Sequence, residues 1–533
     1  MSKKKHSKSA RPLPPRLQAG LNEVESLVTR ARWGEARELL EALDHSYPRR
    51  PEVLTLLANV CSEQNDAWRY QQACEQLLRL APDDPELHLA LANAYILNTY
   101  PVLGLQTLRR FLERWPEHAR ADEAREILSG LEATATNMVD HLGFSGEDAW
   151  ELATLHEKMG ILLEQGQFRE ARQAAQQLLE RRPDFTPTLN NLSQIMWLEG
   201  GADGAIATAT RVLDIDPDNV HALSNLARYC YLSGRAEEAW QWAERLKASP
   251  ATGPELWLKK AEALSYMGDD EGVLEIFQHA VPETGLQPLE VDPTLPHLAA
   301  VAALRLGRED EARRYWKQTL SIAPGWQLAQ ENLDDLKRPV GERHAPWPFA
   351  LPNWIPQRAI DDLLTSMEAT GHSEEAAMRA TRVYLRRHPE VAQRVPFLLD
   401  RGDPMGREFA LRLALMAQTP EMLEALRDFA LGQRGPDALR HQAAQGVAEA
   451  GLLPSGPTRL WYDGEWRELI LMGFELHDEP IIRHRRRVQE LLAQAIEALH
   501  QDRADEAEEL FQQALEIEPD APDILNNLAV TYG

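Results

Sequence analysis

A chain of 533 residues is too long for one hydrophobic core unless it is built from units that pack only on their neighbours. Its 44% apolar and 26% charged residues are those of a soluble folded protein, and a formal net charge of −26 argues against nucleic-acid binding by the bulk surface, since phosphate contact needs a basic face. No stretch reaches the roughly 18 apolar residues of a membrane span, and Cys61, Cys74 and Cys230 show neither metal-type spacing nor a disulfide framework, which suits a cytoplasmic protein.

Residues 1–16 form a basic tail. Lys3, Lys4, Lys5, Lys8, Arg11 and Arg16 precede any acid, which leaves −32 on the rest of the chain. No apolar run follows the lysines, so they do not begin a secretory signal. Such a tail is either a solvated, disordered leader or an arm for an acidic partner or RNA.

From residue 17 the sequence repeats itself. Pro48, Pro82 and Pro116 are 34 residues apart, as are Pro183 and Pro217. Gly166, Gly200, Gly234 and Gly268 keep the same step, and Ala171, Ala205, Ala239 and Val273 follow them by five residues; Gly307 and Ala312 repeat the pair. Each unit holds two apolar stripes near period 3.6, hence two amphipathic helices. The glycine fits a left-handed turn between them, the alanine a close helix crossing, and the proline a stop. One helix pair cannot bury its own apolar face, so pairs must stack.

In period and in these offsets the chain resembles the tetratricopeptide repeat (TPR) family. The best copies are LNNLSQIMWLEGGADGAIATATRVLDIDPDN (189–219), LSNLARYCYLSGRAEEAWQWAERL (223–246) and EALHQDRADEAEELFQQALEIEPD (497–520). The resemblance spans residues 17–337 and again 481–533. It implies an all-α, right-handed solenoid that holds other proteins or peptides along a concave face lined by the first helix of each pair. In the first three copies Ala31, Asn65 and Thr99 replace the turn glycine, and 119–150 reads as a degenerate repeat that keeps the superhelix continuous. Segment 283–293 reads as an insertion loop.

On the implied groove, Asn190, Asn191 and Gln194 take first-helix positions in one copy, and Ser224, Asn225 and Arg228 in the next. Stacked asparagines can bond a peptide backbone without reading its side chains. Asparagine at these positions can equally serve helix starting. The Lys/Asn clamp by which some TPR co-chaperones hold a terminal carboxylate is not matched, because Thr55 and Leu89 stand four residues before Asn59 and Asn93.

Residues 338–358, RPVGERHAPWPFALPNWIPQR, break the pattern. Five prolines forbid a long helix, while Trp347, Phe349, Leu351 and Trp354 predict an ordered strap. It is either an internal ligand in the chain's own groove or a packed joint between segments. Residues 359–480 are helical again without TPR spacing. GDPMGREFALRLALMA (402–417) and GPDALRHQAAQGVAEAG (435–451) resemble HEAT-like units, with Asp403 and Arg407 matched by Asp437 and Arg440. Asp463-Gly464 between alternating residues predicts a β-hairpin at 459–472. The run Arg483-His484-Arg485-Arg486-Arg487 opens the next helix, with Asp478 and Glu479 expected to balance it.

Catalytic motifs are not found. His156-Glu157 begins like a zinc-protease helix, but Gly160 stands where the second histidine belongs; Gly451–Gly456 has P-loop spacing, but Pro457 replaces the phosphate-binding lysine. No cofactor, metal or enzyme activity is expected. The reading is a scaffold for proteins or peptides, its acidity favouring basic partners. The alternative is the regulatory part of a longer protein, because LNNLAVTYG (525–533) stops inside the first helix of a repeat. The partner's identity and the oligomeric state are not legible.

Overall fold

The computed structural model describes residues 13–283, 292–368, 374–453, 457–470, 484–501 and 503–531. Most of the basic tail and of the 283–293 segment lies outside them. Among the described residues the chain is an α-helical solenoid of paired helices with one two-stranded sheet. It divides into two compact units, one holding residues up to 443 with 461–465, the other 444–460 with residues from 466 onward.

The repeat pattern translates directly into backbone. First and second helices pair as Pro51–Glu63 with Ala67–Leu80, Pro85–Leu97 with Pro101–Arg114, and Thr186–Leu198 with Ala202–Ile215. Val220–Leu232 pairs with Ala236–Ala248, and Pro254–Met267 with Asp270–Glu283. Among the described residues the turn residue is left-handed: φ is +69° at Gly166, +76° at Gly234 and +77° at Gly268, but also +56° at Ala31 and Asn65 and +59° at Thr99. The substituted turns therefore keep the geometry and bear its steric cost. Five residues on, Ala36, Ala171, Ala205, Ala239 and Ala312 are fully buried. In the third copy Gly104 takes that place, where an added Cβ would stand 3.0 Å from Ile96. Cys61, Cys74 and Cys230 are free and buried among these helices, and burial pushes the Cys61 thiol up to about 11.

Region 119–150 differs from the expected degenerate repeat. It contributes a single helix, Ala121–His141, with no second helix of its own before Ala149–Glu164 begins. Ala149–Glu164 seats on helix Pro101–Arg114 through a buried carboxylate. Glu157 accepts the backbone N–H groups of Val102 at 3.0 Å and Leu103 at 2.8 Å, donors that a helix start leaves without internal partners. Tyr100 donates to Glu164 at 2.9 Å beside it.

The strap is ordered, with Trp347, Phe349, Leu351, Trp354 and Ile355 buried. Asn332 holds it like a strand partner, accepting from the Trp347 N–H at 3.1 Å and donating to the Trp347 carbonyl at 3.2 Å. Buried His297 lies 3.1 Å from the Pro348 carbonyl and accepts from Trp316 Nε1 at 3.1 Å. That pattern needs a neutral ring, and burial lowers its pKa to about 4. Tyr266 stacks on Phe349 at 4.1 Å and donates to the Asn353 carbonyl at 3.2 Å.

Helix Pro389–Arg401 extends this self-contact across four successive first helices. The Arg394 guanidinium lies 5.2 Å from the Trp197 ring centre, and Phe397 lies 5.1 Å from Tyr231. Arg401 donates to the Ser265 and Tyr266 carbonyls, and Asp400 pairs with Arg305 at 3.0 Å. The strap and this helix thus both pack on the chain's own first helices.

The two Asp–Arg elements of the next segment differ: Asp403 and Arg407 each act on backbone, whereas Asp437 and Arg440 also pair with each other. Asp403 caps helix Pro404–Ala417 through the Gly406 N–H, while buried Arg407 donates to the carbonyls of Leu399, Asp400 and His344. Arg440 pairs with Asp437 and donates to the Trp461 carbonyl at 2.8 Å. Asp437 also accepts the Asp463 N–H at the tip of the hairpin, whose strands are Pro457–Tyr462 and Glu465–Ile470. Residues 471 and 472 of the expected hairpin lie outside the described residues.

The second unit packs helices Arg486–His500, Ala504–Ile517 and Pro522–Val530 around Val488, Leu491, Phe511 and Ile524. In the last helix Ile524 is buried, whereas Leu525 is 48% exposed. His484 lies 2.6 Å from Glu518 and 2.7 Å from Asp523 at the far end of the repeat, while Arg486 and Arg487 each pair with Glu490 at 3.4 Å on their own helix. Asp478 and Glu479 lie outside the described residues.

Candidate functional site

A cavity of about 420 Å³ opens over four successive first helices: Ala149–Glu164, Thr186–Leu198, Val220–Leu232 and Pro254–Met267. Asn191 and Gln194 line it, with Glu164, His221, Glu255 and Lys259 from the neighbouring helices. These side chains share a wall because first helices stack side by side at a 34-residue step, which brings the same helical face forward in each copy.

The five expected groove residues separate into three groups. Asn191 and Gln194 line the cavity. Asn190 departs from the expectation: it is buried and donates to Asn219 at 3.0 Å, and that Asn219 oxygen also accepts the Ala222 N–H and caps helix Val220–Leu232. It joins adjacent repeats instead of facing a ligand. Asn225 is half-buried and stands outside the lining set. Arg228 departs as well. Its guanidinium lies 5.1 Å from the Tyr229 ring centre and 5.3 Å from that of Tyr266, the ring on which the strap's Phe349 stacks. That part of the first-helix surface is taken by the chain itself.

Electrostatics across the cavity is acidic. Glu255 lies 3.8 Å from His221, and Lys259 is paired with Glu262 at 2.9 Å. Burial lowers the His221 pKa, with Glu255 opposing. Burial takes His156 down to about 4. Glu157 is pushed up to about 7 by burial, against the pull of the Leu103 and Val102 N–H groups. Both shifts arise from desolvation, and the Glu157 oxygens are spent on the start of helix Pro101–Arg114, so this His-Glu pair is structural in geometry. Lys259 was within reach of the sequence: it stands 34 residues after Asn225 and 68 after Asn191, the third member of one ladder. His221 and Glu255 form a second ladder, 34 residues apart.

Profiles of the tetratricopeptide repeat match residues 196–263 and, separately, 161–219 with 492–532. The chain carries tetratricopeptide repeats. The matched TPR residues include two of the four first helices of the cavity in full, Thr186–Leu198 and Val220–Leu232. Among solved structures, a tetratricopeptide repeat protein from Parabacteroides merdae is similar at 13% identity, with 53% of this chain and 96% of that one covered and a TM-score of 0.30. MamA is similar at 19% identity, with 30% and 91% covered and a TM-score of 0.24. The P58(IPK) TPR domain is similar at 11% identity, with 82% and 97% covered and a TM-score of 0.22. No curated protein sequence matches. No helix among the described residues is long and apolar enough to cross a membrane.

Proposed function

We propose that this TPR chain is a cytoplasmic protein-interaction scaffold whose open groove, over residues 149–267, takes an extended basic segment of a partner protein. The observation that carries the reading is the cavity where Asn191 and Gln194 stand beside Glu164 and Glu255. Amide side chains donate to and accept from a peptide backbone without selecting sequence, and the lining carboxylates select lysine or arginine on the bound segment. The only lining lysine is already paired with an acid. The neighbouring surface is filled by the strap and helix Pro389–Arg401, so the groove is confined and a partner enters from the side of helix Ala149–Glu164. Fluorescence anisotropy with a labelled lysine-rich peptide tests this. Asn191→Ala with Gln194→Ala, and separately Glu255→Gln, should each weaken binding by about tenfold or more. Unchanged affinity in both variants, with unchanged helicity, would remove the groove from the account.

A further inference from the structure

A second cavity, about 430 Å³, lies at the seam where helix Ala149–Glu164 seats on helix Pro101–Arg114. It is not part of the first-helix groove, because second helices form much of its wall. Its floor is apolar, with Leu78, Leu91 and Leu162, and Arg79, Arg110 and Lys158 stand around it, each exposed and each on a different helix. Among the described residues none of the three has a carboxylate within ion-pair distance.

On a chain with 83 acids against 57 lysines and arginines, three such cations around one cavity leave their charge available to a ligand. The lining carboxylate, Glu75, does not serve these cations at short range. It accepts instead from Gln71 at 3.0 Å, Gln165 at 2.7 Å and Tyr95 at 3.4 Å. The charges of Arg79 and Arg110 both bear on the Tyr95 hydroxyl, so they converge on one wall. Three cations around an apolar floor, against one carboxylate already held by three donors, make a locally positive pocket on an acidic protein. An anion reaching it gains charge-assisted hydrogen bonds from two guanidinium forks, and the leucine floor adds contact that a simple inorganic anion cannot use.

We propose that this seam is a docking site for an acidic peptide segment of a partner protein, whose carboxylates meet Arg79, Arg110 and Lys158 while its apolar side chains cover the leucines. The proposal is independent of the groove reading. Anisotropy of the full chain with a fluorescein-labelled peptide of alternating glutamate and leucine tests it, against the same peptide with glutamine for glutamate. The acidic peptide should bind at least about tenfold more tightly than its glutamine counterpart. Arg79→Glu, Arg110→Glu and Lys158→Glu should each weaken it, and together abolish it. Arg79→Lys with Arg110→Lys should retain most of the affinity, and Asn191→Ala with Gln194→Ala should have no effect. Arg79→Gln/Arg110→Gln/Lys158→Gln serves if charge reversal disturbs folding. Equal binding by the two peptides, unchanged binding by the folded triple variants, or equally tight competition by a short single-stranded DNA would overturn the proposal.

Discussion

Gly268 offers a direct probe of the self-occupied surface. It ends helix Pro254–Met267 in the left-handed region with φ +77°, and the Arg401 guanidinium lies where an added Cβ would stand. Gly234 holds the same turn one repeat earlier with φ +76°, and an added Cβ there meets nothing within 4 Å. Alanine at either site carries the same left-handed penalty, about 1 kcal/mol. At Gly268 it must also displace Arg401, which donates to the Ser265 carbonyl at 3.4 Å, the Tyr266 carbonyl at 3.3 Å and Asp400 at 3.0 Å. Arg401 is 8% exposed, so its guanidinium has little room to swing into water. Losing charged hydrogen bonds of this kind adds about 2 kcal/mol. Gly268→Ala should therefore cost about 3 kcal/mol and Gly234→Ala about 1 kcal/mol. Urea denaturation followed by circular dichroism gives the costs, and hydrogen exchange of residues 389–401 shows where the excess falls. Equal costs, with exchange in 389–401 unaltered by Gly268→Ala, would refute the docking of helix Pro389–Arg401 on this turn.

Glycine at the three substituted turns should stabilise in the order Thr99, Ala31, Asn65, from about 1 kcal/mol to near zero, because a β-branched residue suffers most in the left-handed region and asparagine least; thermal melts of the three variants check the order. Ala205→Arg and Ala239→Arg, both at fully buried crossings, should each cost at least about 3 kcal/mol by overpacking and burial of a charge, and unchanged melts in both would contradict the repeat register. The His484 pKa is raised, first by its hydrogen bond to Glu518 and then by Asp523. Its contribution is fully present below the ordinary histidine value and is lost as pH rises through the raised one. Helices 486–530 should thus exchange amide hydrogen more readily, after correction for intrinsic rate, on the alkaline side, and His484→Ala should abolish that difference.

Much of the fold is legible in the sequence because the repeat writes each structural role at a fixed offset. Turn, crossing and stop recur every 34 residues, so Gly234, Ala239 and Pro217 each testify for the others. The lone helix at 121–141 was not legible, since its apolar spacing suits any amphipathic helix and what sets it apart is the absence of a partner. The site was legible in part. Asn191 and Asn190 are adjacent in sequence, yet one faces the cavity and the other is buried against Asn219, a difference of about 100° around the helix that composition does not express. Arg228 shares the Gln194 slot, but its guanidinium lies against the Tyr229 and Tyr266 rings, and Tyr266 is held in turn by Phe349 of the strap, a contact so far along the chain that it leaves no periodic trace. The unpaired cations of the seam were hidden for a related reason: which arginines lack an acid is decided by how helix Ala149–Glu164 sits on helix Pro101–Arg114.

Site-specific crosslinking tests the scaffold account most directly. A benzophenone side chain is placed at Gln194, inside the groove, or at Arg169 on the outer helix Phe168–Arg181, where the native side chain is 83% exposed. Each protein is then irradiated with the lysine-rich peptide. Efficient coupling from position 194 and none from 169 is the predicted result; equal coupling from both, or coupling from 169 alone, would contradict the account.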